Sequence, residues 1–204
     1  MKLPRLFCGL AVLLAASVAA SAQPVPTTDR AARAKQATEQ RLAYAASAEY
    51  NPYESASRDL AKRAGEALEK NDFAQAIVAA GEGLKQAPYN IDLLIILAAA
   101  QRGAGDTARA DATRRQWMSL VDSILASGDG RSYETAIHVI DVREEYAVLR
   151  VLHLQAGSQS LVEHNGSQFD VLQATARDSE QPVELFFNID LPKRWLDRKL
   201  AKPN

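Results

Sequence analysis

Polar residues able to carry a reaction are few in this 204-residue chain, and their spacing narrows the choice further. His138, His153 and His164 are its histidines, and none stands in a metal-ligand spacing such as H-x-x-x-H or beside a cysteine. No metal and no cofactor is expected. His138, close in sequence to Glu134 and Asp141, has the makings of a general base, but a hydrogen-bonded structural histidine is the favoured reading. Ser160 lies outside any G-x-S-x-G elbow, so nothing marks it as a nucleophile. Glu144 and Glu145 are adjacent; on a helix they point about 100° apart, which gives a solvated face rather than a carboxylate pair.

The most site-like stretch is Gly128-Asp129-Gly130-Arg131-Ser132. Two glycines let a backbone approach a ligand, and Asp129 and Ser132 offer polar contacts. A tight connector between helix and sheet is the plainer reading, since Gly-Asp-Gly supplies turn geometry by itself. The lysine of a phosphate loop and the spaced oxygen ligands of an EF-hand are both missing. The candidate ligand-binding set is therefore Asp129, Gly130, Ser132, His138 and Asn188, with no catalytic residue assigned.

The elements that must position these residues follow from the pattern of the chain. Hydrophobic residues make up 47% and charged ones 24%, the balance of a globular domain. Lys+Arg 24 against Asp+Glu 25 leaves no basic field to hold nucleic acid. At the N-terminus, Lys2 and Arg5 precede an apolar stretch from Leu6 to Ala16, and Ala20-Ser21-Ala22 forms a small-x-small site. That is the layout of a secretory signal peptide cleaved after Ala22; an uncleaved anchor is the alternative, disfavoured because the run is short for a span. Cys8, the sole cysteine, leaves with the signal, so an apolar core alone must hold the mature chain.

Pro24 and Pro26 mark a short leader, and Asp29 to about Ala48 is rich in helix formers but carries only Leu42 and Tyr44 as large apolar residues. This helix is expected to pack weakly. Tyr50-Asn51-Pro52-Tyr53 makes a turn. From Ser57, and again from Ile91, a 34-residue self-similarity begins, the period of a tetratricopeptide repeat. Asn71-Asp72 and Gly105-Asp106 should each end one helix and cap the next, while Ala64, Ala76, Ala98 and Ala110 allow close helix approach. An apolar stripe through Trp117, Met118, Val121, Ile124 and Leu125 must lie on the C-terminal part. The groove positions of such repeats fall on Arg58, Ala61, Gly65, Leu68, Glu69, Asp92, Ile95, Ala99, Arg102 and Gly103. They are mainly small and apolar, and lack the lysine and asparagine that clamp a peptide carboxylate. The expectation is that this face packs on the N-terminal helix or the C-terminal sheet.

After Leu125 the period drops to two. Ala136 to Val142 and Val183 to Ile189 read as strands, and Arg143 to Leu152 as a short helix. Ser158 to Glu163 and Gln168 to Thr175 flank Asn165-Gly166, a hairpin signal that also explains the sequon Asn165-Gly166-Ser167. Pro192 to Leu200 ends as a helix with a basic face of Lys193, Arg194, Arg198 and Lys199 around Trp195, which suits either solvent or an anionic lipid or cell-wall polymer. The fold class is α+β: helical hairpins followed by a small antiparallel sheet. The boundaries are 1–22 signal peptide, 23–55 leader and first helix, 56–127 two hairpins, and 128–204 a cap packed with the hairpins as one unit.

Tyr50-Asn51-Pro52-Tyr53, the run from Leu120 to Gly130, Glu134-Thr135 with His138-Val139-Ile140, Glu145-Tyr146, Ser158-Gln159-Ser160-Leu161 and Phe187-Asn188-Ile189 give the chain a resemblance. It resembles the exported bacterial family described as domain of unknown function 4919. The resemblance implies export and a shared fold, and brings no catalytic residue. Two functions stay open: a periplasmic protein-interaction module binding an envelope protein, and a small-ligand binder or enzyme with its site where Gly128 to Ser132 meets His138, Tyr146 and Asn188.

Overall fold

The computed structural model describes residues 29–201; the signal sequence expected from the N-terminal residues, with its expected cleavage after Ala22, lies outside them. Helix α1 (Arg30–Ala45) leads into α2 (Ala56–Glu69), α3 (Phe73–Gln86), α4 (Ile91–Gly103) and α5 (Thr107–Leu125). Then come β1 (Ile137–His138), α6 (Arg143–Val151), β2 (Leu154–His164), β3 (Ser167–Ala176), β4 (Pro182–Asn188) and α7 (Asp190–Leu200). The class is α+β, as its sequence pattern implies.

The two helical hairpins repeat each other in detail. α3 and α5 begin at Phe73 and Thr107, 34 residues apart. Asn71 and Gly105, the same distance apart, both adopt the left-handed conformation, φ 57° and 82°. In each turn the following aspartate amide donates back across the helix end, Asp72 to Ala67 O and Asp106 to Gln101 O, both at 2.9 Å. The Asp72 and Asp106 carboxylates then accept from Gln75 N at 3.1 Å and Arg109 N at 3.0 Å. Ala64, Ala76, Ala98 and Ala110 are buried where the helices meet. Asp72→Ala and Asp106→Ala should each remove about 1 kcal/mol, roughly additively because they cap different helices. Urea unfolding checks this; a loss under about 0.3 kcal/mol at either site would contradict the capping role.

The sheet order is β1-β4-β3-β2. Its three long strands are antiparallel, but β1 runs parallel to β4, so the sheet is mixed rather than purely antiparallel. The strand expected over Ala136 to Val142 shrinks to two residues for a visible reason. His138 N–H goes to Ser127 Oγ at 2.9 Å, and Ile140 N–H goes to the Glu144 carboxylate at 2.9 Å, which takes the backbone off the ladder. The β2–β3 hairpin turns at Asn165 and Gly166, both with positive φ, as its Asn-Gly signal requires.

The main core joins helices to sheet. Leu94, Val121 and Ile124 from the hairpins meet Val148 and Leu149 of α6 and Leu172, Leu185 and Phe187 of the sheet. Part of the apolar stripe on α5 is thereby explained, although Met118 remains exposed. α1 differs from its expected weak packing. It lies along α5, with Arg30 bound through Nε and Nη2 to Asp122 at 2.7 and 2.6 Å, while Leu42 stays half exposed and Ala37 and Arg41 are buried instead.

The groove positions also differ from expectation. Arg58, Glu69, Ala99, Arg102 and Gly103 are exposed, and Ala61, Gly65, Leu68, Asp92 and Ile95 are only half covered. α1 follows α5 and not this face, and the C-terminal part meets only its edge, where Ser57 at the start of α2 accepts from Arg143 and Asp92 at the start of α4 pairs with Arg150 of α6.

Candidate functional site

The site grows from two short segments, the Tyr50–Tyr53 turn and the N-terminus of α6. Proline at 52 forces the chain to turn between α1 and α2, and this buries Tyr50, whose hydroxyl donates to Ile140 O at 2.6 Å. Its ring meets Tyr44 edge-on at 5.6 Å, and Tyr44 meets Tyr89 at 5.3 Å. Burial pushes the Tyr50 phenol far above its ordinary value, so it stays a neutral donor. These rings, with Asn51, Asp141 and Arg143, line a narrow cleft of about 420 Å³ including its open mouth.

Asp141 opens α6. Its carboxylate accepts from Arg143 N at 2.8 Å and from the Arg143 guanidinium, whose Nη1 reaches on to the buried Ser57 Oγ at 2.7 Å. Glu54 caps α2 through Ser57 N–H at 2.7 Å. The cleft wall is thus a chain of paired charges that ties the hairpins to α6.

Glu144 and Glu145 are not the solvated face expected from sequence; their exposures are 3% and 0%. α6 is wedged between α5 and the sheet, so two directions 100° apart on it are both interior. On one side Glu144 receives Arg41 in a two-pronged bond, Nε to Oε1 at 2.9 Å and Nη2 to Oε2 at 2.5 Å. Arg41 Nη1 also reaches Ser123 Oγ at 3.2 Å. Burial pushes the Glu144 carboxyl upward, and the Arg41 charge and the Ile140 amide oppose it. α1, α5 and α6 therefore converge on one buried ion pair.

On the other side Glu145 faces Asp170 of β3, within hydrogen-bonding reach of its carboxyl. Desolvation, then the negative charges of Asp170, Asp141 and Glu144, lift the Glu145 carboxyl to about 9. Asp170, itself buried, is raised by desolvation, and the Glu145 and Gln159 side chains oppose the rise. Gln159 Oε1 accepts from the exposed Tyr146 hydroxyl at 3.2 Å. Tyr53 is within electrostatic reach of Asp170 and Glu145 and packs on Trp195 of α7 at 5.8 Å.

Of the five residues singled out from sequence, Asn188 stands one register step from Asp170, opposite Phe169, and the others lie on or before β1. Asp129 is exposed and its carboxylate accepts from Arg131 N at 3.0 Å. The Thr135 hydroxyl and that amide hold it below its ordinary value. Gly130, at φ 70°, accepts from Phe186 N at 2.9 Å through its carbonyl and so pins the loop to β4. Ser132 Oγ meets Thr135, and Asn188 Oδ1 accepts from Asp190 N at 3.1 Å. His138 and Asn188 are brought together as register partners of β1 and β4, with His138 exposed. None of the five lines the tyrosine cleft.

Fold and site together define an α+β protein in which two helical hairpins are fastened to a four-stranded sheet by one short helix with both its glutamates inside. The chain belongs to the family described as a domain of unknown function (DUF4919), whose sequence model matches residues 29–198. No curated protein and no solved structure matches it. Among the described residues no helix is long and apolar enough to cross a membrane.

Proposed function

We propose that this protein is exported to the periplasm, released after Ala22, and acts there as a non-catalytic interaction module that holds an envelope protein on the α2–α4 face of its tetratricopeptide-like hairpins. The carrying observation is that this face stays open. α2 lies beside α4, and Arg58, Glu69, Ala99 and Arg102 on it are exposed, whereas Arg41, Glu144, Asp141 and Arg143 are bound within the fold. Gly65 lies in the middle of the face, and a Cβ built there meets nothing within 4 Å. The 34-residue period and the signal-like N-terminus of the sequence support the same reading. A second reading, a small-ligand binder or enzyme, draws support from the tyrosine cleft more than from the Gly128–Ser132 loop and His138.

The test is crosslinking in the native envelope with Gly65→Arg and Asp129→Ala in parallel. The expected result is a mature N-terminus at Gln23 and a discrete partner captured by wild type and by Asp129→Ala but lost with folded Gly65→Arg. Capture that survives Gly65→Arg and disappears with folded Asp129→Ala would contradict the reading and place binding at the loop.

A further inference from the structure

The joint between α6 and the sheet encloses two carboxyl groups, Glu145 and Asp170, and one of them has no donor. Neither oxygen of Glu145 meets a hydrogen-bond donor, and Asp170 is first among the charges that act on it. Two carboxylates in that position only repel, whereas one proton between them makes a charge-assisted O–H···O bond. The surroundings supply no counter-charge. Asp141 and Glu144, on the same segment as Glu145, are acidic, and the guanidiniums of Arg143 and Arg41 are committed to them. β2 contributes Gln159, an amide; the turn before α2 contributes Tyr53; and α7 contributes Asp197, which acts on Tyr53.

We propose that Glu145 and Asp170 share one proton at neutral pH, and that this proton is a clasp that closes α6 onto β3 and opens in alkali. This pH-sensitive catch sits in the joint between helices and sheet and is independent of what the α2–α4 face binds.

The direction of the effect follows from the lifted Glu145. A carboxyl raised from 4.5 to about 9 binds its proton more tightly in the folded chain than in the unfolded one. Its contribution is complete below the ordinary value, falls as pH rises, and is exhausted above about 9. Inside that window one such proton lowers the folding equilibrium constant by up to about tenfold per pH unit.

The experiment is urea unfolding from pH 5 to pH 10 on wild type, Glu145→Gln and Asp170→Asn, joined to infrared spectroscopy at neutral pH. Glutamine at 145 can still donate to Asp170 and cannot ionise. Wild type should lose stability steadily with rising pH and show a protonated-carboxyl C=O band. Glu145→Gln should flatten the slope and abolish the band, and Asp170→Asn should reduce the slope by removing the negative neighbour. Parallel slopes in wild type and the folded variants, or no such band in wild type, would overturn the proposal.

Discussion

Arg41→Met should lower stability by about 3–5 kcal/mol, because it leaves the Glu144 carboxylate buried without its cation. Arg41 and Glu144 are each 3% exposed, so solvent cannot replace the lost partner. The surviving bond from Ile140 N–H supplies one donor where three had been. Ser123, at the junction with α5, keeps its own bond to Leu120 O, so the damage falls on α6 and α1. The mechanism makes a second claim. Arg41→Met with Glu144→Met removes both charges, and this double variant should regain at least about 2 kcal/mol over the single one, since an apolar pair has no charge to strand. A urea series on the four proteins measures both quantities. A loss under about 1 kcal/mol for Arg41→Met would mean that the pair is not the fastening it resembles.

Gly128→Ala should be the next most damaging change, at about 2–3 kcal/mol. A Cβ at 128 would stand inside the van der Waals shells of the Thr135 and Ala136 carbonyl oxygens, and backbone on the far side cannot rotate away. The segment that must yield leads straight into β1, whose Ile137 sits in the core and which is followed by Val139, with its N–H on Asn188 O. Asp129→Ala, one residue on, should stay within about 0.5 kcal/mol, because its exposed carboxylate closes only a local turn. Thermal or urea unfolding of the two variants side by side separates a connector from a binding loop. Equal, small effects would mean that the glycine is there for another reason.

The helical half of this protein was legible because its signals are local. Asp72, Asp106, Asn71 and Gly105 announce caps and turns through their own chemistry, and the hairpin at Asn165-Gly166 does the same. The buried polar joint was harder to read, because a partner distant in sequence decides whether a charge faces water. Arg41 and Glu144 are 103 residues apart, and nothing near either of them names the other. Some signal was nevertheless present. Glu145 lies at i, i+3 and i+4 with the buried Val148 and Leu149, and Asp170 shares the inward alternation of β3 with Leu172 and Ala174. Both acids occupy the apolar phase of their element, which is where an enclosed carboxyl has to be. The shortness of β1 was not readable, since Glu144 and Ser127 capture amides that the alternation assigned to a longer strand.

The most direct test of the joint is whether helices and sheet unfold together. Trp117 reports from α5 in the helical half, and Trp195 reports from α7 beside the sheet; they are the two tryptophans of the chain. Urea transitions followed by fluorescence in Trp117→Phe and Trp195→Phe isolate one reporter each. If α6 fastens the halves through Arg41–Glu144 and Glu145–Asp170, each variant gives a single transition with the same m value, and far-UV circular dichroism of the same protein follows its curve. Two transitions, with the Trp195 signal lost while helical dichroism persists, would contradict the account.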